Sequence, residues 1–354
     1  REGSPLINFD TYIEEVRKNC ISTFGVSNED SDESRPYKIM TSPALSGNNA
    51  YTIALALARK MRTSHGGAPR INNFGPRYYE FDKLDQETEN DEPATEPPDI
   101  YVISSGPIIT TNEYWEARLE VGVDINKLIK EISTQPGNRN ITIVIDATSG
   151  LYSDLRLNAE AEAMIKTGRL SLIVAESHQK FGLVHTDQAQ YGRVFAICGG
   201  NTFTDDVIQE ANNHARVDLT ANLDMQVGGY INEHCGTYLE SIKQQHFNNG
   251  AMFNEVLSDA GILPESQIHE NYRKNYFVLV PRDRGLRQAR NTFCARDSFG
   301  HSSTSYSYIY LSRRLSPSAS DSLDTLIEIT QFSFSYSYSY FICWVTMNNR
   351  RSGL

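Results

Sequence analysis

Ile141-Thr142-Ile143-Val144-Ile145-Asp146-Ala147-Thr148-Ser149-Gly150 is the stretch that decides the fold. An unbroken run of β-branched residues predicts a strand buried on both faces. A carboxylate, two hydroxyls and a glycine follow at once, so the strand ends in polar groups where an open α/β sheet places its ligand crevice.

Working outward, Ile100 to Ile103, Leu170 to Ala175 and Val194 to Cys198 predict further short buried strands. Helical spacing over Ile125 to Ile132 and Ala159 to Lys166 separates them. Strands alternating with helices imply right-handed crossovers and an α/β fold with a mainly parallel sheet flanked by helices. Phe9 to Phe24, with Tyr12, Ile13, Val16 and Ile21 on one side, predicts an amphipathic helix, and acidic Asn28 to Glu33 a loop. Thr41 to Gly47 has the small residues of a turn. It leads into a helix whose Ala50, Ile53, Ala54, Leu57 and Ala58 have the spacing of a buried face.

The acidic, proline-bearing run Asp85 to Pro98 is expected to be a surface excursion without chemistry. Long helical patterns from Asp205 end near Gly261 and Pro264, which sets a large domain over residues 1–262 and a smaller C-terminal α+β domain over 263–354. The smaller domain is expected to hold strands at Tyr276 to Val280, Ser305 to Leu311 and Phe332 to Val345, with a helix at Ser322 to Ile329. Phe332, Phe334, Tyr336, Tyr338 and Tyr340 alternate with serines, which puts the rings on one face of the last strand.

A formal net charge of -11 disfavours a nucleic-acid partner, since binding a phosphate backbone needs a cationic face. No stretch is long and apolar enough to span a bilayer, so a cytoplasmic protein without a membrane partner is expected. The 5 cysteines are odd in number and scattered, unlike a zinc site or a disulfide framework. His185 with Asp187 and His234 with Cys235 lack metal-ligand spacing, so no metal is expected. Gly199-Gly200 lacks a dinucleotide-binding pattern around it, and no Gly-x-Ser-x-Gly elbow supports a hydrolase.

Three short segments carry complementary chemistry. Ser46-Gly47-Asn48-Asn49-Ala50 opens a helix, where backbone N–H groups and the dipole favour a phosphate and Gly47 permits close approach; a plain N-cap turn accounts for the same residues. Asp146 ends its strand, either capping the next element or keeping a heteroaromatic nitrogen protonated. Glu176-Ser177-His178-Gln179-Lys180-Phe181-Gly182 follows the Leu170 strand, and partial desolvation there would free the Lys180 amine for imine formation; taken singly, Lys180 is accounted for as a solvated surface charge.

In this order, the three segments resemble the fold-type I pyridoxal-phosphate enzymes, the aspartate aminotransferase superfamily. The resemblance implies a Schiff base between Lys180 and pyridoxal 5′-phosphate, with Asp146 on the pyridine nitrogen. It implies that Ser177, the backbone around Gly47 and Asn48, and the Ser46 hydroxyl hold the phosphate. Thr148 and His178 would lie near the ring and its phenolic oxygen, and Tyr114, or Trp115, would stack on the ring unless it serves helix packing. Arg314, with Arg313 and Arg296 as alternatives, would clamp a substrate carboxylate. Arg296-Asp297-Ser298-Phe299-Gly300 loosely resembles the substrate-facing loop of the cystathionine-synthase-like branch.

The chain departs from the family in having little sequence before the phosphate turn, where relatives carry an amino-terminal arm reaching the partner subunit. The implied function is a pyridoxal-phosphate-dependent transferase acting on an amino acid or related amine, as an aminotransferase and a homodimer. A C–S lyase or β/γ-replacement enzyme is the alternative within the class; decarboxylation and racemisation also remain open. A non-catalytic binding or assembly domain is the alternative outside it.

Overall fold

The computed structural model describes residues 8–26, 37–63, 69–76, 78, 81, 98–106, 108–111, 117–120, 122–134, 140–178, 191–199, 222–259, 277–281, 294–295, 305–309 and 327–331. Helix α1 spans Phe9–Phe24. The Asn8 side chain accepts from the N–H groups of Asp10 and Thr11, and Gly25, at φ 66°, closes the helix in the left-handed conformation that glycine adopts without Cβ strain. Strand β1 (Tyr37–Ala44), helix α2 (Gly47–Thr63), and strands β2 (Ile71–Asn73) and β3 (Ile100–Ser104) follow. A two-stranded ladder of β4 (Ile108–Thr111) and β5 (Ala117–Glu120) precedes helix α3 (Ile125–Ser133), capped by Asp124. Next come strand β6 (Ile141–Asp146), a 3₁₀ turn over Tyr152–Leu155, helix α4 (Ala159–Lys166), strands β7 (Leu170–Ser177) and β8 (Gly192–Gly199), and the long helix α5 (Leu223–Asp259).

The main sheet has the order β1-β8-β7-β6-β3-β2. Pairings β2–β3, β3–β6 and β6–β7 are parallel, whereas β8 runs against both β7 and β1. The fold class is therefore as expected, a mainly parallel α/β sheet flanked by helices.

Every central strand is buried on both faces, and alternation sorts its side chains into two cores. Tyr101, Ile103, Ile143, Ile145, Leu172, Val174, Phe195 and Ile197 pack with α1, α3 and α4. Val102, Val144, Ile173, Ala175, Val194 and Ala196 pack with the Ala50, Ala54 and Ala58 stripe of α2. The alanines let that helix lie close against the strands. The parallel register sets Asp146 opposite Ala175 and Ser104 opposite Asp146, which brings the polar ends of three strands level.

Two expectations require correction. Thr41 to Gly47 is not a turn throughout: residues up to Ala44 belong to β1, and only Leu45 and Ser46 bend before the helix. Its register pairs Pro43 with Arg193 at the sheet's edge, the position where a strand tolerates a residue without an N–H. The expected helix Ser322 to Ile329 is likewise replaced over its last three residues by strand β12 (Ile327–Gln331). Long-range pairing to β9 (Phe277–Pro281) and β11 (Ser305–Ile309) overrides the local helical pattern there.

The contacts divide the chain into two units, Arg1–Thr110 with Arg118–Gln245, and Thr111–Ala117 with His246–Leu354. The second contains a four-stranded sheet of order β10-β11-β12-β9, where β10 is Cys294–Ala295. The boundary expected at 262/263, the aromatic strand Phe332 to Val345 and most of the acidic run lie outside the described residues. Among the described residues, no helix is long and apolar enough to cross a membrane.

Ile143 is fully buried in the centre of β6. Ile143→Ala is expected to destabilise the protein by about 2–5 kcal/mol through lost burial and the cavity left behind, read as a lower urea midpoint.

Candidate functional site

Alternation along β6 and β7 carries Asp146 and Ser177 to the α2 side of the sheet. Both are almost fully buried. A chain of hydrogen bonds joins them: the Thr148 N–H donates to Asp146 Oδ1 at 3.0 Å, and the Ser177 N–H donates to Thr148 Oγ1 at 3.0 Å. Thr148 thus bridges the ends of two adjacent strands, and its own hydroxyl proton remains a donor. The Asp146 backbone carbonyl accepts from the Ser105 N–H at 3.0 Å, which brings in the end of β3.

Helix α2 starts against this corner. Ser46 is its cap, with Oγ accepting from the Asn49 N–H at 3.2 Å. The Asn49 side chain in turn accepts from the Leu45 N–H at 3.0 Å, closing the turn. A Cβ on Gly47 would come within 2.5 Å of Ser177 Cβ and 3.1 Å of its Oγ, and one on Gly192 would come within 2.4 Å of the Ser46 carbonyl oxygen. Glycine is therefore required where the helix start meets β7 and where β8 begins. The two contacts form a cradle of backbone and hydroxyl groups at a helix N-terminus, a donor set suited to a phosphate.

Glu176 and His178 flank Ser177 and lie on the other side of the sheet. Glu176 Oε2 accepts from Arg193 Nη2 at 2.7 Å, Arg193 Nε at 3.1 Å and the Tyr152 hydroxyl at 3.1 Å. His178 Nε2 lies 3.1 Å from the same oxygen. Arg193 also donates to the Tyr152 hydroxyl, and the Tyr12 and Tyr191 hydroxyls share a hydrogen bond. Glu176, His178 and Arg193 are 2–3% exposed.

Burial works against the Arg193 charge, but Tyr152 and Glu176 outweigh it and hold the guanidinium well above its ordinary range. Burial also raises the Tyr152 and Tyr191 phenols well above 10.0, with Arg193 acting in the opposite direction on both. Removing one member of such a pair costs about 3–5 kcal/mol, whereas replacing both by apolar groups of similar volume is often neutral.

The structure thus brings Ser46, Gly47, Asn48, Asp146, Thr148 and Ser177 to one corner. His178, expected near the same region, is bonded to Glu176 behind it. Lys180, Tyr114, Trp115, Arg314, Arg313 and Arg296 lie outside the described residues. Ser104, Ser105 and the Glu176–Arg193–Tyr152 cluster are additions to the residues expected from the sequence. The signal for the cluster was a charged residue at the end of each of two otherwise apolar strands, Glu176 in one and Arg193 in the other.

No family model and no curated protein matches the sequence. Among solved structures, the chain is similar to the broad specificity aminotransferase from Leishmania mexicana, at 13% identity over 78% of this chain and 71% of that one, with a TM-score of 0.49. It is similar to the cytoplasmic aspartate aminotransferase from Giardia lamblia, at 12% identity over 78% and 72%, with a TM-score of 0.47. A third similar structure is an aromatic-amino-acid aminotransferase from Burkholderia pseudomallei covalently bound to pyridoxal phosphate, at 16% identity over 77% and 71%, with a TM-score of 0.43. By its own sheet order and strand-end corner, this chain is an α/β protein with one large, mainly parallel sheet flanked by helices.

Two outcomes test the geometry. Gly47→Ala is expected to push Ser177 out of the cradle and weaken binding of a phosphate monoester by roughly tenfold or more, the loss of one charge-assisted hydrogen bond, read by calorimetric titration. In the unfolded chain, Tyr152 and Tyr191 ionise near the ordinary 10.0, while in the fold both stay protonated to higher pH. The stability they contribute is therefore complete below pH 10.0 and lost as pH rises from there through their folded values. The thermal midpoint should fall over that alkaline range, and Tyr191→Phe should shallow the fall.

Proposed function

We propose that this chain binds pyridoxal 5′-phosphate and transfers an amino group from an amino acid or related amine, as an aminotransferase. The observation that carries the reading is the meeting of Asp146 and Ser177 at adjacent strand ends, bridged by Thr148, with Ser177 against the Gly47 start of α2. An anion cradle and a buried carboxylate on one side of one sheet suit a cofactor with a phosphate at one end and a basic ring nitrogen at the other. Lys180, three positions past Ser177 in the sequence, is the amine we assign to this cofactor.

When bound, the cofactor supplies an electrophilic aldehyde carbon and a ring that accepts electrons from the substrate α-carbon. Ser177, Ser46 and the backbone N–H groups of Gly47 and Asn48 hold its phosphate. The Asp146 carboxylate keeps the ring nitrogen protonated, and the Thr148 hydroxyl lies on the bridge beside it. Lys180 would hold the cofactor covalently and, as a free amine, would carry the proton at the substrate α-carbon. Tyr114 stacks on the ring, and Arg314 binds the substrate carboxylate in a two-point clamp that orients the bond to be broken. We place the protein in the cytoplasm as a homodimer.

Borohydride reduction of the purified protein with pyridoxal 5′-phosphate, followed by peptide mapping, tests this directly. The reduced adduct is expected on Lys180, and Lys180→Ala should slow the amine-dependent absorbance change by roughly 10²–10⁴-fold, the usual contribution of a proton-transferring group. An adduct confined to another lysine overturns the assignment. Dependence of turnover on a 2-oxo acid acceptor separates the aminotransferase from the lyase, which releases ammonia without one.

A further inference from the structure

Ser177 sits between two residues that are both pinned on the far side of the sheet. Glu176 is fixed by Arg193 and Tyr152, and His178 is fixed twice, through its ring to Glu176 Oε2 and through its N–H to the Tyr191 carbonyl at 2.9 Å. The His178 ring also lies against Tyr191, with centroids 5.0 Å apart. The cluster is tied to α5, where Glu240 Oε1 accepts from the Tyr152 N–H at 3.0 Å.

A buried ion pair gives no more stability than well-packed apolar side chains would. What it adds is direction: one carboxylate oxygen takes donors from the neighbouring strand, from the 3₁₀ turn and from the residue two positions along its own chain. That arrangement sets the rotation of the strand end about its axis, and with it the side on which Ser177 meets Gly47. The proposed phosphate contact tolerates little rotation, because the Ser177 side chain packs so closely on Gly47 that a Cβ there would come within 2.5 Å of Ser177 Cβ.

We infer that Glu176 is a positioning residue for the phosphate subsite, acting through His178 to hold Ser177 against the start of α2. The inference rests on the cofactor reading above and names the device that keeps its anion cradle in register.

The test compares the affinities of the full chain for pyridoxal 5′-phosphate and for pyridoxal, which lacks the phosphate. Their ratio isolates the phosphate contribution, whereas a general loss of structure moves both affinities together. Two variants are used. Glu176→Leu with Arg193→Met removes the ion pair as a unit. His178→Phe keeps a ring against Tyr191 and deletes the bond to Glu176, and it decides the matter alone if the double variant fails to fold.

The ratio is expected to fall roughly tenfold or more in each folded variant, the loss of one charge-assisted hydrogen bond to phosphate. A ratio unchanged from wild type in His178→Phe overturns the inference and leaves the cofactor reading standing. A wild-type chain with equal affinity for the two aldehydes overturns the cofactor reading itself, and this inference with it.

Discussion

Side chains along a strand must alternate between its two faces, and in β6 and β7 that constraint organises everything else. Parallel pairing holds the two strands level, so that Asp146 lies opposite Ala175, two residues before Ser177 and on the same face. The next residues in either direction, Glu176 and His178, then have no choice but the other face. A one-residue slip of β7 would exchange its two sets, placing Glu176 beneath α2, away from Arg193, and Ser177 among the isoleucines of the opposite core.

The sheet in this way separates two kinds of polar chemistry that would otherwise compete. On the α2 side, groups of small size and no positive charge, Ser46, Thr148 and Ser177, share a corner with one carboxylate, which accepts from the Thr148 N–H beside a helix start. On the α1 side, a guanidinium is surrounded by a carboxylate and aromatic rings, with its central carbon 5.0 Å from the Phe195 ring centroid. Were Arg193 to share the first corner, its charge would pair with Asp146 and compete for any bound anion. The strand plane keeps the fixed cation away from the acid.

Much of this was legible in the residues. The apolar runs of β3, β6, β7 and β8 announced buried strands, and the alanine stripe of α2 announced a helix packed close to them. Asp146 stood out because it is polar at the end of such a run, and Ser177 through the resemblance of its segment to a known family. The missed elements have particular causes. Strand β1 carries Thr41, Ser42 and Pro43, a turn composition, and is a strand only because the opposed β8 offers it a full ladder. Strand β12 is set by partners far away in the chain. Glu176 and Arg193 look like surface charges until the antiparallel register puts them face to face.

The sequence by itself determined the succession of strands and helices, the identity of the groups at each strand end and the position of Lys180 three residues past Ser177, because these depend on local periodicity and chain order. Only the tertiary structure decided which strand neighbours which, that β8 runs against its neighbours, and that Asp146, Thr148, Ser177 and Gly47 converge while Glu176, His178 and Arg193 close together behind them. Pairing between distant strands is selected by the burial and hydrogen bonding of the whole sheet at once, and no single stretch of the chain carries that information.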